Sequence, residues 1–202
     1  MEKQIIISIG REFGSEGHKV AEMVAERLQL KLYDRNFLEE VAQEKDMDID
    51  HVEVHDEKPR NRLLSRRVGA HTNSIEAHVA QMQFDYMRKL ADSGESFVIV
   101  GRCAETVLRD NENLLSIFIL GDKEEKLKHV MEKYQLNEFD ASIKIKRHDR
   151  KRKFYHNEYS DYKWGDSRGY DLCINSSKLH IDKVVDLIVY YVQHRTVDAE
   201  NA

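Results

Sequence analysis

The sequence predicts an α/β fold built on a parallel sheet with helices on both faces. Two observations carry this expectation. Short apolar, β-branched runs alternate along the chain with stretches whose apolar residues recur at helical spacing, and the first such run passes directly into a glycine-rich turn and then a helix-patterned segment. Alternation of this kind marks parallel strands, because a parallel connection must be long enough to carry the chain back, usually through a covering helix. Ligands of such sheets gather at the carboxyl ends of the strands.

Taken in order, strands are expected at residues 4–9, 30–33, 96–100, 114–120 and 170–174, each rich in Ile, Val, Leu, Phe or Tyr. Helical spacing follows in Val20, Met23, Val24, Arg27 and Leu28, in Leu127, Val130, Met131 and Tyr134, and in Val184, Val185, Leu187, Ile188, Tyr191 and Val192. A further amphipathic helix is expected over 74–91, where Ile75, His78, Val79, Met82, Phe84, Tyr86 and Leu90 read as core packing or a subunit contact. Residues 46–74 break the alternation with many charges, the only proline (Pro59) and little apolar periodicity, and read as a helical hairpin or excursion. His51 and His55 stand there at i,i+4 spacing, but no further ligand set accompanies them and they read as solvated. The tail after Arg195 reads as a frayed end.

A chain of 202 residues suffices for one well-buried core and is short for two independent domains. Hydrophobic residues at 41% and charged residues at 34%, with no apolar run of membrane-spanning length and no secretory pattern at the start, predict a soluble, cytoplasmic protein without a membrane partner. Cys103 and Cys173 match no metal spacing and read as reduced thiols buried near strand ends. A net charge of −5 argues against a dedicated nucleic-acid binder, yet the charge is uneven. Lys144, Lys146, Arg147, Arg150, Lys151, Arg152 and Lys153 crowd one short stretch against Asp149 alone. Such a block is either a solvated helix face or an anion clamp.

The glycine-rich turn, Gly14-Ser15-Glu16-Gly17-His18-Lys19-Val20, follows the first strand and opens a helix. That order converges backbone N–H groups and a helix N-terminus on an anion, so it predicts phosphate binding. The pattern G-x-x-x-x-G-K-[ST] does not match at any register: Gly17 is followed by His18, and Lys19 by Val20. Arg11 and Lys19 can supply charge and Ser15 a hydroxyl; the plainer alternative is a turn used only for chain reversal. Arginines also fall after three of the expected strands, at Arg11, Arg35 and Arg102. A guanidinium at a buried strand end needs an anion, and either a phosphate or a local carboxylate such as Asp34 or Glu105 answers that need.

These segments together, IGREFGSEGHKVAEMVAERL, LYDRNFLEEVA, FVIVGRCAETVLRD, LLSIFILGDKEEKLKHVMEKY and WGDSRGYDLCINSSKLHIDKVVDLI, resemble the cytidylate kinase-like family within the P-loop nucleoside-monophosphate (NMP) kinases. The likeness runs through nearly the whole chain. It implies a P-loop NMP-kinase-like three-layer α/β fold with a parallel five-stranded sheet, a helical acceptor-binding excursion at about 36–91 and a basic helical lid at about 144–159, within one domain whose core is 1–35, 92–143 and 160–195. It implies ATP as phosphoryl donor with Mg2+, and a nucleoside monophosphate acceptor, CMP or dCMP favoured. Carried onto this chain, the resemblance places Arg11, Gly14, Ser15, Gly17, His18 and Lys19 at the donor phosphates and Asp34, Arg35 and Arg102 at the acceptor. Arg102, Arg147, Arg150 and Arg152 are its catalytic candidates, and spacing does not choose among the three in the lid. No metal ligand is assigned, and a homodimer is left open.

The chain also departs from the family. The loop lacks a lysine beside its last glycine, and Glu16 stands where the family usually has another glycine, so that a carboxylate opposes phosphate unless it turns outward. Two further readings therefore stand beside the kinase: a catalytically degenerate nucleotide-binding or sensing module, favoured by the missing lysine, and RNA binding through the basic block with Tyr155, Tyr159, Tyr162 and Trp164 as stacking partners, disfavoured by the negative net charge.

Overall fold

A computed structural model describes residues 4–34, 37, 41, 67–68, 71–72 and 75–198. Strands β1 (Ile6–Arg11), β2 (Lys31–Tyr33), β5 (Phe97–Val100), β6 (Leu114–Leu120) and β7 (Leu172–Asn175) form one sheet in the order β2-β5-β1-β6-β7, and every neighbouring pair is parallel. All five strands expected from sequence are present, with ends within two residues of the expected ones. β1 is central and pairs with β6 from Ile6↔Leu114 to Arg11↔Ile119, so its carboxyl end projects from the middle of the sheet.

The covering helices are α1 (Gly17–Leu28), α2 (Ile75–Asp92), α3 (Ala104–Val107), α4 (Lys123–Tyr134), α5 (Glu138–Tyr159) and α6 (Ile181–Asp198). Because successive residues of a strand face opposite ways, the buried strands supply two cores. Ile7, Ile9, Val98, Val100, Ile117 and Ile119 meet Val20 and Val24 of α1 and Val184, Val185 and Ile188 of α6 on one face. Ile6, Tyr33, Phe97 and Ile99 meet Met82, Phe84 and Met87 of α2, Ala104 of α3 and Tyr155 of α5 on the other. α2 thus packs on the core as its spacing predicted.

Three expectations need revision or fall elsewhere. Cys173 is exposed, because its side chain falls on the open side of the edge strand β7, while Cys103 is buried; both are free thiols. Within 46–74, read as a helical hairpin or excursion, the described residues form a short antiparallel pair, β3 (Arg67–Val68) with β4 (His71–Thr72). His51, His55 and Arg35 lie outside the described residues. Among the described residues no helix is long and apolar enough to cross a membrane.

Candidate active site

The turn after β1 is held in shape by side chains rather than by its own backbone alone. Ser15 Oγ is buried and shares its proton between the carbonyls of Glu12 (2.9 Å) and Ile119 (3.1 Å), so this hydroxyl faces the sheet. Gly14 has φ +86°, and a Cβ there would stand 2.9 Å from Val130 Cγ2 and 3.0 Å from the Lys126 carbonyl. A Cβ on Gly17 would stand 2.6 Å from Arg11 Cβ, so only glycine lets α1 begin this close to β1. Glu16, between them, takes the left-handed conformation at φ 57° without being glycine. Its Oε1 lies 3.7 Å from Lys19 Nζ, which offsets its charge, and 3.8 Å from His129 Nδ1.

Beneath the turn lies an ion network absent from the sequence reading. Lys126, with a side chain only 11% exposed, donates 2.7 Å to Glu12 Oε2 and approaches Asp149 Oδ2 at 3.8 Å. Asp149 Oδ1 accepts the Phe13 N–H at 2.7 Å, and Arg152 on the same helix donates 3.2 Å to the Arg11 carbonyl. Phe13 stacks on His148 at 4.2 Å between ring centroids and on Tyr134 at 5.8 Å. α5 is therefore docked directly on the phosphate-loop candidate. Burial pushes the Asp149 carboxyl up, against the pull of the Phe13 N–H and Lys126. Burial, reinforced by the Arg152 and Lys144 charges, holds the His148 imidazole down at about 4.

The turn, the strand ends and α5 enclose an open cleft of about 780 Å³. Of the residues expected at the donor phosphates, Arg11, Gly14, Gly17, His18 and Lys19 line it; Ser15 does not. Asp34 and Arg102 line it from the ends of β2 and β5, and Arg152 lines it from α5. Arg147 and Arg150 do not: both are exposed on the outer side of the helix, Arg150 over the Phe154 ring at 5.5 Å. Arg102 is 3% exposed, donates 3.2 Å to the Val100 carbonyl and lies 5.6 Å from the Phe37 ring. Asp34 Oδ2 sits 3.5 Å from His18 Nδ1.

Further basic side chains reach the cleft from residues the sequence did not single out as site residues: the lysines Lys133 of α4 and Lys144 of α5, and the imidazoles of His129 and His148. A signal for Lys144 and His148 existed, since 144, 148 and 152 recur at i,i+4 and share one face of a helix. Asp149, the single acid in the basic block, was a second signal. Lys126 carried none, because only packing of α4 beneath the turn makes it special. The acids Glu16, Glu22 and Asp34 also line the cleft, whereas no group of three or more His, Cys, Asp or Glu side chains forms a metal cluster among the described residues.

A parallel sheet in this order, with a glycine-bearing turn opening α1 beneath an overlying helix, is the architecture of the P-loop kinases. Solved structures share it: shikimate kinase from Aquifex aeolicus is 14% identical over 96% of this chain and 99% of that one, with a TM-score of 0.51. Shikimate kinase from Acinetobacter baumannii in complex with shikimate is 11% identical over 95% and 94%, with a TM-score of 0.53. At such identities the likeness is one of fold. A crystal structure of an uncharacterized protein from Eubacterium ventriosum ATCC 27560 is much nearer, 43% identical over 94% of this chain and 99% of that one, with a TM-score of 0.74. The model of the cytidylate kinase-like family matches residues 6–178, and the chain belongs to that family. No curated protein matches it.

Proposed function

We propose that the protein transfers the terminal phosphoryl group of ATP to a small phosphorylated acceptor, a nucleoside monophosphate, with CMP or dCMP favoured by the family likeness. One observation carries this reading: a single cleft gathers Arg11, Gly14, Gly17, His18 and Lys19 of the turn, Asp34 and Arg102 at neighbouring strand ends, and Arg152 of the overlying helix. Opposed cations around a glycine-bearing turn suit a polyphosphate held end-on between two substrate positions.

In this reading an acceptor oxygen attacks the γ-phosphorus in line, the bond from that phosphorus to the bridging oxygen breaks, and ADP leaves. The chain's work is positioning and charge neutralisation. Backbone N–H groups at the start of α1 hold the donor, Arg102 orients the acceptor phosphate, and Arg152 neutralises charge on the group in flight. α5 acts as the lid, and its docking on Phe13 sets Arg152 over the turn. Mg2+ with the donor supplies charge neutralisation at the phosphates. Magnesium is bound through one or two carboxylates together with substrate phosphates, and Asp34, Glu16 and Glu22 on the cleft wall fit that requirement.

The test is ADP formation from ATP·Mg2+ across CMP, dCMP, UMP, AMP, GMP and no acceptor, in wild type and in Arg102→Ala, Arg152→Ala, Arg147→Ala and Arg150→Ala. Expected is turnover that requires an acceptor, falls by about 10³-fold or more in Arg152→Ala, and collapses in Arg102→Ala, with Arg147→Ala and Arg150→Ala within a few-fold of wild type. Folded protein with no acceptor-dependent turnover that still binds ATP supports the sensing module instead, the reading favoured by Glu16 and the missing lysine.

A further inference from the structure

Beside the cleft, and unused by the mechanism above, stands a buried polar pair. Glu105 Oε1 and His156 Nε2 are 2.8 Å apart, with side chains 5% and 7% exposed, and the Tyr170 hydroxyl lies 3.4 Å from the same nitrogen. The 2.8 Å contact is a hydrogen bond between the ring nitrogen and the carboxyl group. Taking polar groups out of water is costly, and apolar groups of the same shape are often as stable, so stability is a weak reason for such a pair to exist.

Its place in the chain suggests another. Glu105 stands three residues after Arg102, across the turn into α3, and His156 stands four residues after Arg152, one turn along α5. Arg102, Arg152, Glu105 and His156 line one small cavity of about 20 Å³. A fixed contact between positions 105 and 156 therefore fixes the spacing of positions 102 and 152. The backbone adds a reason to need this. Arg102 and Cys103 are both left-handed, at φ 56° and 55°, and follow Gly101 at φ 77°. Two non-glycine residues in that region cost about 1–2 kcal/mol each and persist where surrounding contacts over-determine them. The Glu105 carboxylate, gripped from α5 just after the strained turn, is such a contact.

We propose that Glu105 and His156 are a positioning pair that holds Arg152 of the lid helix against the Arg102 turn, at the separation with which the two arginines grip phosphate in the cleft. This rests on the phosphotransferase reading above and assigns the pair no contact with substrate. His156 acts through Arg152, and Glu105 through both.

The test is calorimetric titration of inorganic tripolyphosphate into wild type, His156→Ala, His156→Gln, Arg152→Ala and the His156→Ala/Arg152→Ala double variant, with thermal unfolding of each. His156→Ala is expected to weaken binding about tenfold, and His156→Gln, whose amide still donates to Glu105, to recover most of the loss. In the Arg152→Ala background His156→Ala should change affinity by less than about twofold, because a residue acting through another has no effect once that other is gone. Should His156→Ala not fold, His156→Phe, which fills the site but cannot hydrogen-bond to Glu105, supplies the same comparison in the two backgrounds. Losses that multiply independently, or equal binding by the Ala and Gln variants at equal melting temperature, overturn the proposal and leave the phosphotransferase reading standing. A folded wild type that binds no tripolyphosphate overturns both.

Discussion

Replacing Glu16 by glycine is expected to tighten polyphosphate binding at little cost in stability. Glu16 sits at φ 57° in the turn, lines the cleft, and has its carboxylate 3.7 Å from Lys19 Nζ and 3.8 Å from His129 Nδ1. Three terms decide the stability change. A non-glycine residue in the left-handed region costs about 1–2 kcal/mol, which glycine relieves. Glycine adds roughly 0.5–1 kcal/mol of unfolded-state entropy. The lost ion pairs, partly exposed and screened, contribute at most about 1 kcal/mol. These nearly cancel, so the melting temperature should move by no more than a few degrees. Binding has no such cancellation. A carboxylate about 6 Å from a phosphate charge is repelled by roughly 1–3 kcal/mol at an effective dielectric of about 20–40. Its removal also releases Lys19 and His129 toward the ligand, so affinity for tripolyphosphate should rise about tenfold or more. Calorimetry on wild type, Glu16→Gly and Glu16→Gln reads this directly, the glutamine separating charge from backbone strain. Equal or weaker binding by Glu16→Gln would refute the reasoning and place the carboxylate's field away from the phosphate. Weaker binding of ATP·Mg2+ alone, with tighter binding of metal-free tripolyphosphate, would mark Glu16 as a metal contact.

Three further outcomes are expected. Gly17→Ala drives a methyl to 2.6 Å from Arg11 Cβ, a backbone-anchored atom, and should destabilise by about 1–3 kcal/mol, read as a fall of several degrees in melting temperature. His148 is held at about 4 against an ordinary 6.5, so the unfolded chain binds more protons between those values, and the stability this group contributes is present above about pH 6.5 and lost as pH falls toward 4. Melting temperature should drop over that window, and His148→Phe, which keeps the stack on Phe13, should flatten the drop; comparison is cleanest above the carboxylate range, because Asp149, raised by burial, titrates with the opposite sign. Lys126→Met leaves Glu12 and Asp149 facing each other without their cation, and should destabilise by about 2–4 kcal/mol in denaturant unfolding, a loss that Lys126→Arg partly restores.

The sheet was legible because its signal is local. Runs such as Ile5-Ile6-Ile7-Ser8-Ile9 and Leu114-Leu115-Ser116-Ile117-Phe118-Ile119-Leu120 can be buried on both faces only in a parallel sheet, and the intervening helices announce their inner faces by spacing. The phosphate-loop candidate was legible for the same reason, since strand, glycine and helix follow one another in the chain. The exposure of Cys173 was not, because a strand's place at the sheet edge is set by partners far away in sequence.

The arginines of the basic block show the division most clearly. Composition located the basic block at Lys144–Lys153, and helical periodicity limited which members could share a face, but Arg147, Arg150 and Arg152 were equivalent until α5 was docked. Docking is decided by contacts 136 and 141 residues apart, Asp149 to the Phe13 N–H and Arg152 to the Arg11 carbonyl. Likewise Lys126 is one lysine among many until α4 packs under Gly14, and Glu105 and His156 are two polar residues 51 apart until folding brings them within 2.8 Å. Periodicity and turn chemistry are properties of neighbours along the chain, so residue order was enough for the strands, helices and glycine-bearing turn. Which charges face the cleft depends on desolvation and on distances between remote segments, and these exist only in the folded chain.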